Sequence, residues 1–244
     1  MAKKEYLTTL LKIENVADDT YAVWLKKPAH FTFVAGQYTE LHLTKDMPLD
    51  PKGSFREFSI SSAPHEKDLM FVFRKGESIF KNEFLQLQPG SRVKITEPVG
   101  EFVLPEKPER EIIFLVGGIG MTAIRPMIMD LVHKKSSLKT TIFYSNSTVE
   151  RIAFFDELSG LPQKQHKVIF TVTGEVSANN AWKGETSRIT AELLKKYEPN
   201  FREKQFYLVG PARFVTAMVA LTRSEKIPFS QVKLESFGLY GKNI

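Results

Sequence analysis

The amino-acid sequence predicts a two-domain α+β protein, in which an N-terminal antiparallel β-barrel is followed by a C-terminal doubly wound parallel α/β domain. Short segments rich in aromatic and β-branched residues, separated by turn residues, fill the first hundred positions, as in a barrel. After the Pro-rich segment 105–108, strand-like and helical segments alternate. The segment 112–116 is continuously apolar, which indicates a strand buried on both faces. We therefore expect domains at residues 1–106 and 107–244.

The barrel half contains a series of predicted strands and one short predicted helix. Turn formers such as Lys27-Pro28 and Pro89-Gly90 separate the strands. Ser78 is suited to cap a helix over residues 78–87, because Phe80 and Phe84 then fall on one face. The predicted strands are 21–25, 38–43, 58–60, 69–73 and 92–95.

The second half alternates between strands and helices. A glycine turn follows the first strand, and the next segment has the periodicity of a helix. The predicted strands are 112–116, 140–144, 167–172, 205–209 and 231–234. The predicted helices are 123–133, 153–158, 190–197 and 212–225.

The composition excludes several classes of protein and site. The 244 residues contain no cysteine, which excludes disulfides, thiolate zinc sites, cysteine nucleophiles and cysteine-ligated iron–sulfur clusters. No apolar run reaches about 18 residues, so no transmembrane segment is expected. The basic start of the chain is not followed by an apolar stretch, so we expect no secretory signal and a cytoplasmic location.

The net charge of +6 is unevenly distributed. Residues 1–107 carry 15 basic and 15 acidic side chains, whereas residues 108–244 carry 19 and 13. This asymmetry favours an anionic ligand or an acidic partner protein, and a solvated basic surface without a partner is the alternative. No Lys/Arg run with interleaved aromatic residues is present, so we expect no nucleic-acid partner.

Two glycine turns are predicted at the carboxyl edge of the parallel sheet, where open α/β sheets bind ligands. Gly118-x-Gly120-x-x-Ala123 lies between the first strand and its helix and satisfies the dinucleotide-binding pattern. Glycines there let the backbone approach a phosphate, and the helix start supplies free N–H donors. Val209-Gly210-Pro211 forms the second turn. For the first turn, a tight turn selected for packing is the alternative.

The second parallel strand ends without the acidic residue that would bind the ribose of NAD. It ends in Ser145 and Asn146, and Arg151 follows. Hydroxyl groups and an arginine are suited to a 2′-phosphate, which favours NADPH, although ordinary surface-loop chemistry explains these residues equally well.

In the barrel half, residues 56–62 read Arg-Glu-Phe-Ser-Ile-Ser-Ser. Strand alternation places Arg56 and Phe58 on one face and Ser59 on the other. An arginine beside an aromatic ring and hydroxyl groups is suited to a pyrophosphate and a flat ring system. An ordinary edge strand is the alternative.

Six motifs follow one another along the chain. They are Arg56-Glu57-Phe58-Ser59, Gly76-Glu77-Ser78-Ile79-Phe80-Lys81, Pro98-Val99-Gly100-Glu101-Phe102, the Gly-Gly-x-Gly-x-Thr turn from Gly117 to Thr122, Val209-Gly210-Pro211 and Glu235-Ser236-Phe237. In this order and spacing they resemble the ferredoxin–NADP reductase family of flavoproteins, and the likeness covers nearly the whole chain.

The resemblance implies FAD in the barrel domain, NADP or NAD in the α/β domain, and hydride transfer between them. It implies a catalytic role for Ser59, near flavin N5, and for Phe237, which would shield the flavin ring; Tyr240 is the alternative shield. The residues that it assigns to cofactor binding are Arg56, Glu57, Phe58, Ser59, Phe73, Arg74, Ser78, Phe80, Lys81, Gly118, Gly120, Met121, Thr122, Ser145, Asn146, Arg151, Gly210 and Pro211.

The electron acceptor must be a separate molecule, because the chain has no cysteine to hold an iron–sulfur cluster. The resemblance implies a small acidic redox protein such as ferredoxin or flavodoxin. Lys81, Arg125, Lys233 and Lys242 are the cations that we expect to meet it.

Three departures from the family pattern leave other functions open. Ala123 replaces a proline, Val209 replaces a cysteine, and Phe58 replaces a tyrosine. The alternatives are a reductase of free flavin or quinone, and a flavin-binding electron-transfer or regulatory subunit without nicotinamide chemistry. No metal site is predicted, because the histidines are scattered and the paired carboxylates lack a third ligand.

Overall fold

A computed structural model describes residues 3–44, 53–176 and 182–237. The chain forms two compact units. The first comprises residues 1–104 together with 122–134, and the second comprises residues 105–121 and 135–244. Within the described ranges, no helix is both long enough and apolar enough to span a bilayer.

The first unit contains the predicted antiparallel sheet. Its six strands lie in the order β4-β3-β6-β1-β2-β5. They are β1 (Glu5–Ala17), β2 (Thr20–Leu25), β3 (Tyr38–Leu43), β4 (Phe55–Ser59), β5 (Leu69–Arg74) and β6 (Arg92–Thr96). Strand β1 pairs with both β2 and β6 and is central to the sheet, but it was not among the strands predicted from the sequence.

The sheet is barrel-like but is not closed by a continuous ladder. Its edge strands β4 and β5 are joined just past the end of β4, where the Ser61 N–H donates to the Met70 carbonyl at 2.7 Å and the Met70 N–H donates to Ser62 Oγ at 3.0 Å. A core rich in phenylalanine fills the inner face and includes Phe58, Phe73 and Phe80. These contacts bring β5 alongside the strand that carries the predicted flavin motif.

Helix α1 (Ile79–Leu85) begins where the sequence predicted a cap. The Ser78 hydroxyl accepts the Lys81 N–H at 3.4 Å, and Phe80 and Phe84 point into the core. Burial of these two rings fixes one face of the helix against the sheet.

The second unit is built on a five-stranded parallel sheet in the order β11-β10-β7-β8-β9. The order reverses between β7 and β10, which is the switch point of a doubly wound sheet. The strands are β7 (Ile112–Gly117), β8 (Thr140–Asn146), β9 (His166–Val172), β10 (Gln205–Pro211) and β11 (Val232–Phe237). The connecting helices are α2 (Met121–His133), α3 (Phe155–Ser159), α4 (Ala191–Tyr197) and α5 (Ala212–Ser224). The predicted fold class is confirmed.

Burial accounts for the sequence pattern of this sheet. Every residue of β7 is buried, as its continuous apolar run predicts. Helices α4 and α5 pack on one face, where Leu193 and Val215 meet Leu115 and Leu208 in a single core. Helix α2 begins in the second unit, but its contacts group residues 122–134 with the first.

Candidate functional site

In the first unit, β4, β5 and α1 bring together most of the residues that sequence reasoning assigned to the flavin. The ring of Phe58 lies 5.2 Å from that of Phe73 and 6.2 Å from that of Phe80, measured between centroids. The guanidinium carbon of Arg56 lies 5.5 Å from the Phe80 ring centre. Glu57 lies on the opposite face of β4, where it pairs with Glu40 in the ladder.

Phe58, Phe73 and Phe80 are core residues as well as candidate flavin contacts. All three belong to the buried cluster under the antiparallel sheet. Arg56 is held by its own loop, because its Nη1 donates to the carbonyls of Gly53 at 3.0 Å and Phe55 at 2.6 Å. The packing of the protein therefore accounts for these aromatic residues without a ligand.

Lys81 joins the first turn of α1 to the end of β5. Its Nζ donates to the carbonyl of Arg74 at 2.9 Å and lies 5.8 Å from the Phe73 ring centre. Ser78, the cap of the same helix, stands three residues earlier. The structure thus places the basic and hydroxyl groups of the second motif beside the end of β5.

Buried polar atoms without protein partners are the independent sign of a ligand in this unit. Ser59 is buried, and its Oγ has no hydrogen-bond partner among the described residues. The same holds for Ser61 Oγ and for Asn82 Oδ1 on α1, two atoms that sequence reasoning did not select. An unsatisfied buried polar group costs about 1–3 kcal/mol, so such groups indicate a missing partner. These residues fit a flavin cofactor.

In the second unit, the two predicted glycine turns touch each other. A Cβ at Gly120 would lie 2.7 Å from the Val209 carbonyl oxygen, and a Cβ at Gly210 would lie 2.8 Å from that of Gly117. Gly118 and Gly210 have φ angles of +50° and +152°, which favour glycine. Close packing between the turns requires glycine at Gly120 and Gly210, and the positive φ angle favours glycine at Gly118.

The ligand signal at the same edge comes from Asn146 and Ser236. Asn146 is 4% exposed, yet neither its Oδ1 nor its Nδ2 has a partner in the described part of the chain. Ser236 pairs with Gly210 across the β10–β11 ladder, and its Oγ is likewise buried and unpartnered. Sequence reasoning selected Asn146 but treated Ser236 only as the middle of a motif, because nothing in the sequence shows which serines are buried.

The remaining predicted nucleotide residues lie around this edge. Met121 and Thr122 are buried at the start of α2. Ser145 pairs with Gly117 in the β7–β8 ladder, and Arg151 is half-buried at the end of a short 3-10 helix.

The end of β11 carries the predicted flavin shield. Phe237 is half-buried there and pairs with Pro211 in the ladder with β10. Tyr240, the alternative shield, lies outside the described residues, as does Lys242.

One predicted role is corrected by burial. Arg125 was expected among the cations that meet an acidic acceptor, but it is only 6% exposed. Its guanidinium forms two hydrogen bonds with the Glu66 carboxylate, at 2.9 and 3.0 Å. A cation that is buried and neutralised in this way does not attract a partner at the surface. The pair could not be predicted from the sequence, because its two members are 59 positions apart.

Comparison with known proteins gives matches to sequences and to structures. A family model described as the oxidoreductase NAD-binding domain matches residues 114–220. A flavohemoprotein of Xylella fastidiosa is 28% identical over 207 residues, which cover 84% of this chain and 51% of that protein. The glycine betaine monooxygenase reductase subunit of Chromohalobacter salexigens is 24% identical over 226 residues, which cover 90% of this chain and 60% of the subunit.

Among solved structures, a ferredoxin NADP+ reductase from Neisseria gonorrhoeae with bound FAD and NADP superimposes with a TM-score of 0.79. The two chains are 18% identical, and the match covers 96% of this chain and 99% of that reductase. The chain spans about half the length of the flavohemoproteins that it matches. The structural likeness shows a shared two-domain fold, and the sequence matches extend over both units.

Proposed function

Because the chain is related in sequence and fold to the ferredoxin–NADP reductase-like flavoproteins, we propose that it is an NAD(P)H-dependent flavoprotein reductase that uses FAD. Residues 1–106 would hold the FAD and residues 107–244 the nucleotide. When bound, FAD would supply the chemistry for taking a hydride from reduced nicotinamide, passing its two electrons to an acceptor and releasing its proton to solvent. The protein needs no general base for this chemistry, and its residues bind, orient and shield.

The buried, unpartnered hydroxyl of Ser59 is the observation that carries the proposal. It lies at the end of β4, within the motif whose aromatic residue packs among Phe73 and Phe80. Ser59 would hydrogen-bond the flavin near N5, while Arg56, Ser78 and Lys81 would neutralise or bind its phosphates. A flavin partner would satisfy the Ser59 hydroxyl, which the protein itself leaves unsatisfied.

The carboxyl edge of the parallel sheet supports nucleotide binding. Gly118 and Gly120 would let the backbone approach the pyrophosphate, with Thr122 at the start of the following helix. Asn146 would use its free amide group on the nucleotide. Phe237 would cover the flavin ring until nicotinamide displaces it.

For the acceptor, we propose a separate redox protein, either a ferredoxin, a flavodoxin or an oxygenase component. The support is the description of one relative as a monooxygenase reductase subunit. Of the four cations expected to meet the acceptor, Lys81 and Lys233 remain candidates. Arg125 is buried, and Lys242 lies outside the described residues.

The proposal is tested by anaerobic titration of the FAD-loaded protein with NADPH and then NADH, followed by visible absorption. We expect bleaching of the flavin, and the nucleotide that bleaches it at lower concentration identifies the preferred one. Protein that stays yellow with both nucleotides would instead support the electron-transfer or regulatory subunit. Protein that holds no flavin but turns over added flavin would support the free-flavin reductase.

Two variants sharpen this test. Ser59→Ala is expected to slow bleaching by about tenfold, the equivalent of one hydrogen bond of about 1.4 kcal/mol to the reacting ring. Ser62→Ala is the matched control, because it removes a buried hydroxyl three residues away that already accepts the Met70 N–H. The bleached protein is then mixed with oxidised ferredoxin or flavodoxin, and the return of the yellow colour reports electron transfer.

A further inference from the structure

Arg125 is a buried cation one turn into helix α2 that holds two parts of one loop at once. Its Nη1 donates to the carbonyl of Ser61 and to Glu66 Oε2, both at 2.9 Å, and its Nη2 donates to Glu66 Oε1 at 3.0 Å. The Glu66 carboxylate also accepts the N–H of Ala63. A planar guanidinium bound to both carboxylate oxygens fixes orientation as well as distance.

The pair is partly exposed, because the Arg125 side chain is 7% exposed and the Glu66 side chain 30%. Burial raises the pKa of the Glu66 carboxyl, but the hydrogen bonds and charge of Arg125 outweigh burial, so the pKa lies below its ordinary value. An ion pair with one buried member often contributes no more stability than two well-packed apolar side chains. Its geometry, rather than its stability, is therefore the property that needs an explanation.

Glu66 lies in the loop that directly follows the proposed flavin-binding strand, β4. Ser61 stands two residues after Ser59, and its N–H is fixed to the Met70 carbonyl of β5 at 2.7 Å. The loop from Ser61 to Glu66 thus continues β4 and is held between β5 and the guanidinium. A change in the position of Arg125 acts on the backbone that sets the place of Ser59.

Arg125 lies in the helix that directly follows the proposed nucleotide-binding turn. Arg125 lies three residues after Thr122, on the same face of α2, and the helix begins directly after the glycine turn. Two further contacts hold the helix along its length. A Cβ at Gly36 would lie 2.4 Å from Met127 Cε, and the rings of His65 and His133 stack with centroids 3.9 Å apart.

We propose that Arg125 and Glu66 are a positioning pair, which couples the helix that follows the nucleotide turn to the strand that carries Ser59. The inference rests on the proposed function for its catalytic consequence. Nucleotide bound at the glycine turn would act on the start of α2, and the guanidinium would transmit this to residues 59–66. Neither residue touches the reacting atoms in this role.

The test compares the FAD-loaded protein with the double variant Arg125→Met/Glu66→Met, which removes both charges and keeps apolar volume. We expect the variant to fold and bind FAD, to bleach at least tenfold more slowly at saturating nucleotide, and to keep its KM within about threefold. The second readout is hydrogen exchange of the amides of residues 59–66 with and without NADP+. We expect NADP+ to slow this exchange in the unchanged protein and to have no effect in the variant.

Two further variants separate positioning from general damage. Arg125→Lys keeps the charge but not the paired hydrogen bonds. Its bleaching rate should lie between those of the unchanged protein and the double variant. It also tests the proposal if the double variant does not fold. Lys204→Met/Glu198→Met removes another ion pair, at the amino-terminal edge of the parallel sheet, and should keep the bleaching rate.

Three results would overturn the coupling: bleaching at the normal rate in the double variant, no effect of NADP+ on exchange in the unchanged protein, or equal loss of bleaching in the control. A protein that neither nucleotide bleaches would refute the proposed function instead, and the exchange measurement would still decide the coupling.

Discussion

Buried polar groups at the amino-terminal edge of the parallel sheet have hydrogen-bond partners, whereas those at the carboxyl edge lack them among the described residues. At the amino-terminal edge, Glu198 accepts from Thr141 Oγ1 at 2.6 Å and from Lys167 Nζ at 3.1 Å, and it also pairs with Lys204. Lys204 in turn donates to Glu111 at 2.8 Å. At the carboxyl edge, the side-chain amide of Asn146 and the hydroxyl oxygen of Ser236 are buried without partners among the described residues.

This difference separates structure from function within one sheet. Burial of a polar group is tolerated when hydrogen bonds replace those lost to water, as they are around Glu198. The unpartnered groups at the carboxyl edge lower stability in the free protein, and a ligand would satisfy them. We therefore expect substitutions at the amino-terminal edge to change stability, and substitutions at the carboxyl edge to change nucleotide binding.

The largest expected effect is that of Glu198→Ala at the amino-terminal edge. It leaves the part-buried Lys204 with only Glu111 and strands the Thr141 hydroxyl, so we expect a loss of about 3 kcal/mol in the free energy of unfolding. Denaturant unfolding at pH 7 measures this loss. The flavin bleaching rate should not change.

Glu225→Ala is the matched control, since it removes a carboxylate that pairs with the exposed Arg202. It should cost less than about 1 kcal/mol. Equal losses in the two variants would contradict the contrast between the edges.

Asn146→Ala is expected to have a smaller effect, on binding rather than on folding. Loss of the amide should weaken NADP+ binding about tenfold, the equivalent of about 1.4 kcal/mol, because the amide would hydrogen-bond the nucleotide. The free energy of unfolding should be unchanged or slightly higher, because two unsatisfied atoms are removed. Titration calorimetry and denaturant unfolding measure the two quantities.

The exposed Asn200→Ala serves as the control for the same side-chain change. If Asn146→Ala destabilised the fold while leaving NADP+ affinity intact, the amide would belong to the structure and not to a ligand site.

The sequence predicted the fold where local periodicity reports burial. Strand β7 and helix α1 were predicted because their apolar patterns match the faces that they bury. Strand β1 was not predicted, because its pattern does not alternate between apolar and polar residues. Leu7 and Leu11 are exposed, and the ladder with β2 shifts register between Leu10 and Lys12.

Some features of the candidate site could likewise be predicted from the sequence, and others could not. The glycine turns could be predicted because they are continuous in sequence. The pairing of Arg125 with Glu66 could not, because an ion pair between distant segments leaves no periodic trace. The unpartnered Ser236 hydroxyl was also beyond prediction, since it depends on burial by residues elsewhere in the chain.

The smallest expected effect concerns His166, which lies at the amino-terminal edge beside Thr140, with Nδ1 and Oγ1 3.0 Å apart. Burial lowers the pKa of this imidazole below its usual 6.5. The unfolded chain therefore binds a proton more readily than the folded protein, and stability falls as the pH drops below 6.5 toward the folded-state pKa. The slope from this one group cannot exceed about 1.4 kcal/mol per pH unit. His166→Gln should flatten the pH dependence of the unfolding free energy between pH 6.5 and 5, above the range in which Glu111 and Glu198, with their lowered pKa values, take up protons. An unchanged slope in the variant would show that protonation of His166 does not limit stability, and would remove this residue from the set of structural groups at that edge.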